Sequence, residues 1–434
     1  PRVSDTLVHA RPATYVRSAD ADPALPPRMS TRRVPRPGEI LPLIGRPDLS
    51  RSRLQRRLDR CASVWDVRAL ARQRTPKPVF DYTDGAAMSE TSLKRSRDAY
   101  RRVEFVPRVL RDVSELDIGV DMLGRRSALP FALAPTGFTR MMNHAGEPAV
   151  ARAAAEMGLP YCLSTLGTTS IESLAQASPS TRRWFQLYVT RDRPRAEALM
   201  GRAHEHGYDA LILTVDAPVG GVRRREIRDG LTIPPRLSAG ALAGMARHPR
   251  WWINALTTEP LQFATLSSSG GTVGDLMTRT FDPGVTGDDI AWIRRNWPGT
   301  LVLKGIQCLA DAELAADLGV DAIILSNHGG RQIDMGGAPL ELVPSVAKAV
   351  GSSVEVYVDG GIMSGTDIVA ALALGARGAL VGRAYLYGLM AGGHDGVLRV
   401  LHILDQEIRT TMRLLGVTSV ADLDADSVRL RSGG

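Results

Sequence analysis

The sequence predicts an α/β fold: a (β/α)8 TIM barrel with an N-terminal extension and a long insertion after the fourth strand. Eight short apolar runs rich in Val, Ile and Leu recur between residues 130 and 383, with amphipathic stretches between most of them. The runs do not alternate polar with apolar, so they read as parallel strands buried on both faces. Polar and ionisable residues gather at their C-terminal ends.

In chain order the runs are PFALAP (130–135), YCLST (161–165), RWFQLYV (183–189), ALILTVD (210–216), TLVLKGI (300–306), AIILSNH (322–328), VEVYVDGG (354–361) and ALVGR (379–383). The stretches GEPAVARAAAEMG (146–158), PRAEALMGRAHEHG (194–207) and DAELAADLG (311–319) carry helical spacing and each end in Gly, a common helix stop. A doubly wound open sheet is the alternative, and the absence of G-x-G-x-x-G after the first run counts against it. Residues 217–299 form one connection, far longer than the usual βα loop, holding Pro234-Pro235, Trp251-Trp252 and SSSGGTVG (267–274). It reads as a lid over the barrel mouth or, with Arg247, His248 and Arg250 beside the tryptophans, as a surface for membrane or partner contact.

The chain of 434 residues, 44% hydrophobic and 23% charged, is long enough for one large barrel and too apolar for global disorder. Its net charge of +8 is unevenly placed: residues 1–78 hold 17 Arg/Lys and 7 Asp/Glu, or +10, and the remaining 37 and 39 give −2. Residues 1–48 are expected to form a basic Pro/Arg-rich arm, and residues 49–434 the catalytic domain. A nucleic-acid groove across the fold is not expected. Met29 stands as an alternative start. Three scattered cysteines, Cys61, Cys162 and Cys308, make neither a disulfide framework nor a zinc site. The apolar core of a signal peptide and a spanning helix are both missing. The expected location is cytoplasmic, with peripheral contact at the inner face of the cell membrane as the variant.

In a barrel the chemistry sits where strands end. Those positions hold Pro135-Thr136-Gly137, Ser164, Gln186 and Tyr188, Thr214 and Asp216, Lys304, Ser326 to Arg331, Asp359-Gly360-Gly361 and Gly382-Arg383, with Arg223 shortly after strand four. Lys304 is one of only four lysines and follows a buried run, so it suits an anionic centre or a Schiff base. His328 next to two glycines and Arg331 suits a carboxylate substrate, with the guanidinium binding the acid and the imidazole taking a proton. Asp216 is placed to orient that imidazole. His204 and His206, at i and i+2 on a helix, point apart and make no metal site. Glycines and Arg383 after strands seven and eight suit a phosphate, which implies a phosphorylated cofactor such as FMN.

Together, S-N-H-G-G-R-Q (326–332), A-P-T-G (134–137), F-Q-L-Y (185–188), L-T-V-D (213–216), L-K-G (303–305), D-G-G-I (359–362), V-G-R (381–383) and F-D-Y-x-D-G-A (80–86) resemble the FMN-dependent L-2-hydroxyacid dehydrogenases and oxidases. That family includes L-lactate dehydrogenase, glycolate oxidase and mandelate dehydrogenase, and the likeness is greatest to its actinobacterial lactate-dehydrogenase-type branch. The resemblance implies FMN, a small 2-hydroxy acid such as L-lactate as substrate, a quinone or O2 as acceptor, and a homo-oligomer, tetramer or octamer. A larger aryl or carrier-linked acid is the alternative substrate. It implies His328 as base, Arg223, Arg331 and Tyr82 on the substrate carboxylate, and Tyr188 on the hydroxyl. Lys304 would lie near flavin N1; Pro135 to Gly137, Ser164, Gln186, Thr214 and Ser326 would meet the ring and ribityl chain. Asp359 would bind the ribityl chain, and Gly360, Gly361, Ile362, Met363, Gly382 and Arg383 the phosphate. The chain departs from the pattern at Met88-Ser89, at Leu166, at Met363-Ser364 in place of a frequent Arg-Arg, and at Gly137, which is expected to leave room beside the flavin. An isomerase-type barrel with Cys308 as nucleophile is the competing class.

Overall fold

The computed structural model describes residues 34–40, 50–230, 247–259, 261 and 281–431. Met29, most of the basic arm, Pro234-Pro235 and residues 267–274 therefore lie outside the described residues. The chain divides into two compact units, residues 1–51 and 52–434. The second is a closed barrel of eight parallel strands. These are β1 (Phe131–Leu133), β2 (Tyr161–Ser164), β3 (Arg183–Leu187), β4 (Tyr208–Thr214), β5 (Thr300–Ile306), β6 (Ala322–Leu325), β7 (Glu355–Val358) and β8 (Gly378–Val381). Six lie within the expected runs, while β4 and β8 start two residues and one residue earlier, and β8 closes on β1 by pairing Ala379 with Phe131 and Val381 with Leu133.

Two apolar layers explain why the runs lack alternation. Ala210 and Ile212 of β4 join Ala132, Cys162, Trp184, Val302, Ile324 and Leu380 in one inner cluster. Their neighbours Leu211 and Leu213 belong to the outer layer shared with the helices. Both faces of each strand are dry, so both must be apolar. The inner cluster also takes in Val120, Met122 and Leu123, from a short hairpin (Val120–Met122 with Arg125–Ser127) that plugs the N-terminal end. Hydrogen bonds from Arg182 to the carbonyls of Met122 and Leu123 hold the plug against the starts of the strands. That end is sealed, so the open mouth is at the opposite end.

The helices stop where the glycines predicted. Gly158, Gly207 and Gly319 all adopt positive φ, which a side chain would disfavour. Ser170 and Ser364 cap the helices Ile171–Ala177 and Gly365–Ala373 by accepting from backbone N–H groups of the first turn. The connection from β4 to β5 differs from a plain loop. Its last part is a regular barrel helix, Asp288–Asn296, whose Ile290 and Ile293 are buried. Short helices Arg224–Asp229 and Pro249–Thr257 occur earlier. His328 also departs from expectation: β6 ends at Leu325, and His328 opens a tight helical turn, His328–Gly330, at φ 58°.

Leu211, fully buried between β4 and the helical layer, gives a direct check on this packing. Leu211→Ala removes side-chain volume that the closed barrel cannot refill. It is expected to lower unfolding free energy by about 2–5 kcal/mol, read as a lower urea midpoint with an unchanged slope.

Candidate active site

The mouth of the barrel holds a cavity of about 570 Å³, a volume typical of cofactor and substrate pockets. Every residue that the family resemblance assigns to substrate or cofactor lines it except Ser326, and the catalytic candidate Asp216 also lies outside the lining. Those two sit directly behind, and each holds a group that does face the cavity.

Asp216 Oδ1 lies 3.0 Å from His328 Nδ1. Burial alone would push the Asp216 carboxyl up, but the His328 charge and hydrogen bond, with Lys304 nearby, hold it below the usual range. The carboxylate thereby fixes the proton on Nδ1, and Nε2 is left to face Tyr188, whose hydroxyl is 3.4 Å away. Burial, followed by the Asp216 charge, pushes the Tyr188 phenol up, so it remains a donor. A register shift in β5 between Lys304 and Ile306 makes this approach possible. The intervening Gly305 has φ 111°, and a Cβ there would lie 2.7 Å from the Asp216 side chain.

Ser326 accepts from Lys304 Nζ at 2.8 Å, and Asp359 lies 3.0 Å from the same nitrogen. Burial works against the ammonium, but the carboxylates of Asp359 and Asp216 outweigh it and raise the Lys304 pKa. The buried Lys304 ammonium is thus favoured over the neutral amine that a Schiff base needs, which counts against the Schiff-base reading.

Arg331 Nη1 donates to the Tyr82 carbonyl at 2.6 Å, and its guanidinium lies 4.8 Å from the Tyr82 ring centre. Glu226, not anticipated from the sequence, accepts from Arg331 at 3.2 Å and lies 3.6 Å from Arg223. Burial and then the Arg331 charge lower the Arg223 pKa. Arg223, buried, and Arg331, half-buried, both line the cavity and share Glu226, so an anionic ligand there would meet two guanidinium groups. The signal for Glu226 was its place three residues beyond Arg223, at the start of a helix.

The far end of the cavity is built from Gly360 and Gly361, at φ 88° and 85°. A Cβ on Gly361 would meet the Ser96 carbonyl at 2.5 Å, so only Gly fits this turn. Arg97, also missed, donates to the Gly361 carbonyl and pairs with Asp367. The Arg383 guanidinium donates to the carbonyls of Thr83 (2.8 Å) and Gly85 (2.7 Å). Burial pulls its pKa down to about 10. No ion pair to Arg383 occurs among the described residues, which leaves its charge for a ligand. Elsewhere, Ser164 donates to Gln186 Oε1, and the Thr136 hydroxyl lies 2.6 Å from that of Tyr385. Gly137 does not leave open space: a Cβ there would lie 2.9 Å from Leu166 Cβ, so Leu166 occupies the room. Cys308 is exposed and outside the cavity, which removes the isomerase-type reading. Among the described residues no His/Cys/Asp/Glu group could hold a metal, and His204 packs edge-on to Trp297 instead.

A family profile described as FMN-dependent dehydrogenase matches residues 71–430. The chain belongs to that family. It is 52% identical over 394 residues to a Mycobacterium tuberculosis protein described as "Putative L-lactate dehydrogenase", covering 90% of this chain and 95% of the relative. It is 41% identical to the L-lactate dehydrogenase of Caulobacter vibrioides, with 84% and 96% covered. Among solved structures, the monotopic membrane protein (S)-mandelate dehydrogenase superposes with a TM-score of 0.81 at 36% identity, covering 86% of this chain and all of that one. Mandelate oxidase gives 0.74 and 37%, with 86% and 99% covered.

This member of the FMN-dependent dehydrogenases is thus an oxidoreductase with FMN as its cofactor, and its cavity fits that group. The buried atoms Gln186 Nε2, Thr214 Oγ1 and Asp359 Oδ1 have no hydrogen-bond partner among the described residues. Polar atoms are buried without partners only at a cost of about 1–3 kcal/mol each, which the heteroatoms of a flavin and its ribityl chain would remove. The cation of Lys304 and that of Arg383 suit an anionic ring edge and a phosphate.

Asp216→Asn tests the imidazole's support. Because the folded Asp216 pKa is depressed, its stabilisation is complete above about pH 4 and is lost as pH falls through the folded value. The variant is expected to flatten this acid limb in a pH series of thermal melts. Gly305→Ala, forced against Asp216, is expected to lower kcat by about tenfold or more in steady-state assays while the protein stays folded by circular dichroism.

Proposed function

We propose that this chain oxidises an L-2-hydroxy acid, L-lactate foremost, to the 2-keto acid and passes the electrons to a quinone-like acceptor. The observation that carries the reading is the single cavity in which His328, backed by Asp216, faces Tyr188 while Arg223 and Arg331 face the same space. The two arginines bind the substrate carboxylate with Tyr82 beside them, which fixes the α-carbon relative to His328. Tyr188 donates a hydrogen bond to the oxygen that becomes the carbonyl. His328 Nε2 takes the proton, and Asp216 stabilises the imidazolium that forms. Bound FMN would accept the two electrons together with the second of the two substrate hydrogens, the first having gone to His328 as the proton. Lys304 would offer its positive charge to the negative charge of the reduced ring. Pro135, Thr136, Gly137, Ser164, Gln186 and Thr214 would hold the ring and ribityl chain, with Asp359 on the latter and Ser326 acting from behind through Lys304. Gly360 to Met363, Gly382 and Arg383 would hold the phosphate, with backbone N–H groups as donors where Met363 offers no charge.

Anaerobic mixing of the yellow protein with a panel of L-2-hydroxy acids is expected to bleach the flavin, fastest with L-lactate. Failure to bleach with every acid would sink the proposal. Readmitting O2 or a quinone analogue then separates oxidase from dehydrogenase, by peroxide formation or quinone reduction. His328→Ala is expected to slow flavin reduction by about 10²–10⁴-fold with FMN still bound.

The same chain is proposed to touch an anionic membrane peripherally. Helix Pro249–Thr257 buries no residue and exposes Ile253 and Leu256, with Arg247 and Arg250 at its start. The relative described as monotopic is consistent with such contact, and no helix among the described residues is long and apolar enough to cross a membrane. Co-sedimentation with anionic vesicles is expected to fall in high salt and in Ile253→Ser/Leu256→Ser; equal sedimentation with neutral vesicles would refute the assignment.

A further inference from the structure

We propose that Phe281, at the return end of the long β4–β5 connection, is a positioning residue for the Tyr188 hydroxyl. Phe281 is buried, and its ring stacks on that of Tyr188 with centroids 4.2 Å apart and planes inclined by 21°. Its backbone is fixed independently of that stack. Phe281 forms an antiparallel bridge with Thr190, and the N–H of Asp282 donates to the Val189 carbonyl at 3.0 Å. Arg193 then pairs with both Asp282 and Asp289, each at 2.9 Å, tying the segment to the helix after β3. The phenylalanine is thus a wall held by its own strand bridge and ion pairs.

What the wall does follows from the torsions of tyrosine. Rotation about χ1 carries the hydroxyl through an arc, and rotation about χ2 turns the ring plane in which the O–H bond prefers to lie. On the backbone side, Tyr188 N–H donates to Thr165 Oγ1 at 3.2 Å, which holds the strand but leaves both torsions free. The Phe281 face closes the χ1 arc on one side and sets the ring plane through the offset stack. The hydroxyl is thereby kept 3.4 Å from His328 Nε2, close enough for one substrate oxygen to engage both. The return end of the long connection in this way acts on the site through the Phe281 ring, as its start does through Arg223.

This inference rests on the role given to Tyr188 above, and the test separates the two. Phe281→Ala, Tyr188→Phe and the double variant are prepared as FMN-loaded protein, and kcat, KM and the rate of anaerobic flavin reduction are measured for each. Phe281→Ala is expected to lower kcat by about 10–100-fold with little change in KM or flavin content. In the Tyr188→Phe background it should cost less than about threefold, because the group it positions is gone. Phe281→Trp, which keeps an aromatic face, is expected to restore most of the rate, and Phe281→Leu serves in place of the alanine variant if that one loses flavin. Additive losses in the double variant, or full rate without an aromatic face, would show Phe281 to be packing only and overturn the proposal. A fully active Tyr188→Phe would instead overturn the role of Tyr188 and the proposal with it.

Discussion

Pairing of β8 with β1, Ala379 to Phe131 and Val381 to Leu133, closes the sheet on itself, and the rest of the molecule follows from that closure. An open sheet could spread its strand ends along a line tens of ångströms long. A closed one must bring all eight to a single ring, whose interior is dry below and open only at the mouth. The side chains at that ring are consequently neighbours whatever their separation in sequence. Asp216 meets His328 across 112 residues, and Lys304 meets Asp359 across 55.

Crowding charges into such a ring is expensive, and the geometry shows how the expense is met. Asp216 and Asp359 offset the burial of His328 and Lys304, while Glu226 is shared by Arg223 and Arg331. Carboxylates do not balance everything. Arg383 directs its donors to carbonyls, and the buried Gln186 Nε2, Thr214 Oγ1 and Asp359 Oδ1 at the cavity have no hydrogen-bond partner among the described residues. That shortfall is the physical expression of a site built to be completed by an anionic cofactor and an anionic substrate, since groups left over by the fold are groups reserved for a ligand.

Much of this was legible in the chain. Non-alternating runs announced a barrel because both strand faces are dry, and Gly158, Gly207 and Gly319 marked helix ends because only glycine tolerates that turn cheaply. His328, Arg331, Lys304 and the glycine pair were legible because strand-end polarity has no structural use. Glu226, Arg97, Tyr385 and Phe281 were not. Their parts depend on which side chains meet through space, and nothing in their local sequence separates a carboxylate that bridges two arginines from one facing water. The reading of Gly137 as open space erred for the same reason, since Leu166, 29 positions away, fills it.

The sequence by itself determined the element types, the eightfold repeat and the kinds of chemistry at the strand ends, because periodicity and residue type are local properties. It also placed the positive excess in the first 78 residues, leaving a nearly neutral barrel. Only the tertiary structure decided the remaining pairings: which carboxylate Arg223 and Arg331 share, why Gly305 must lack a side chain, that the end of the long connection is a barrel helix, and that Phe281 lies against Tyr188. Those are distances between residues far apart in the chain, and barrel closure is what sets them.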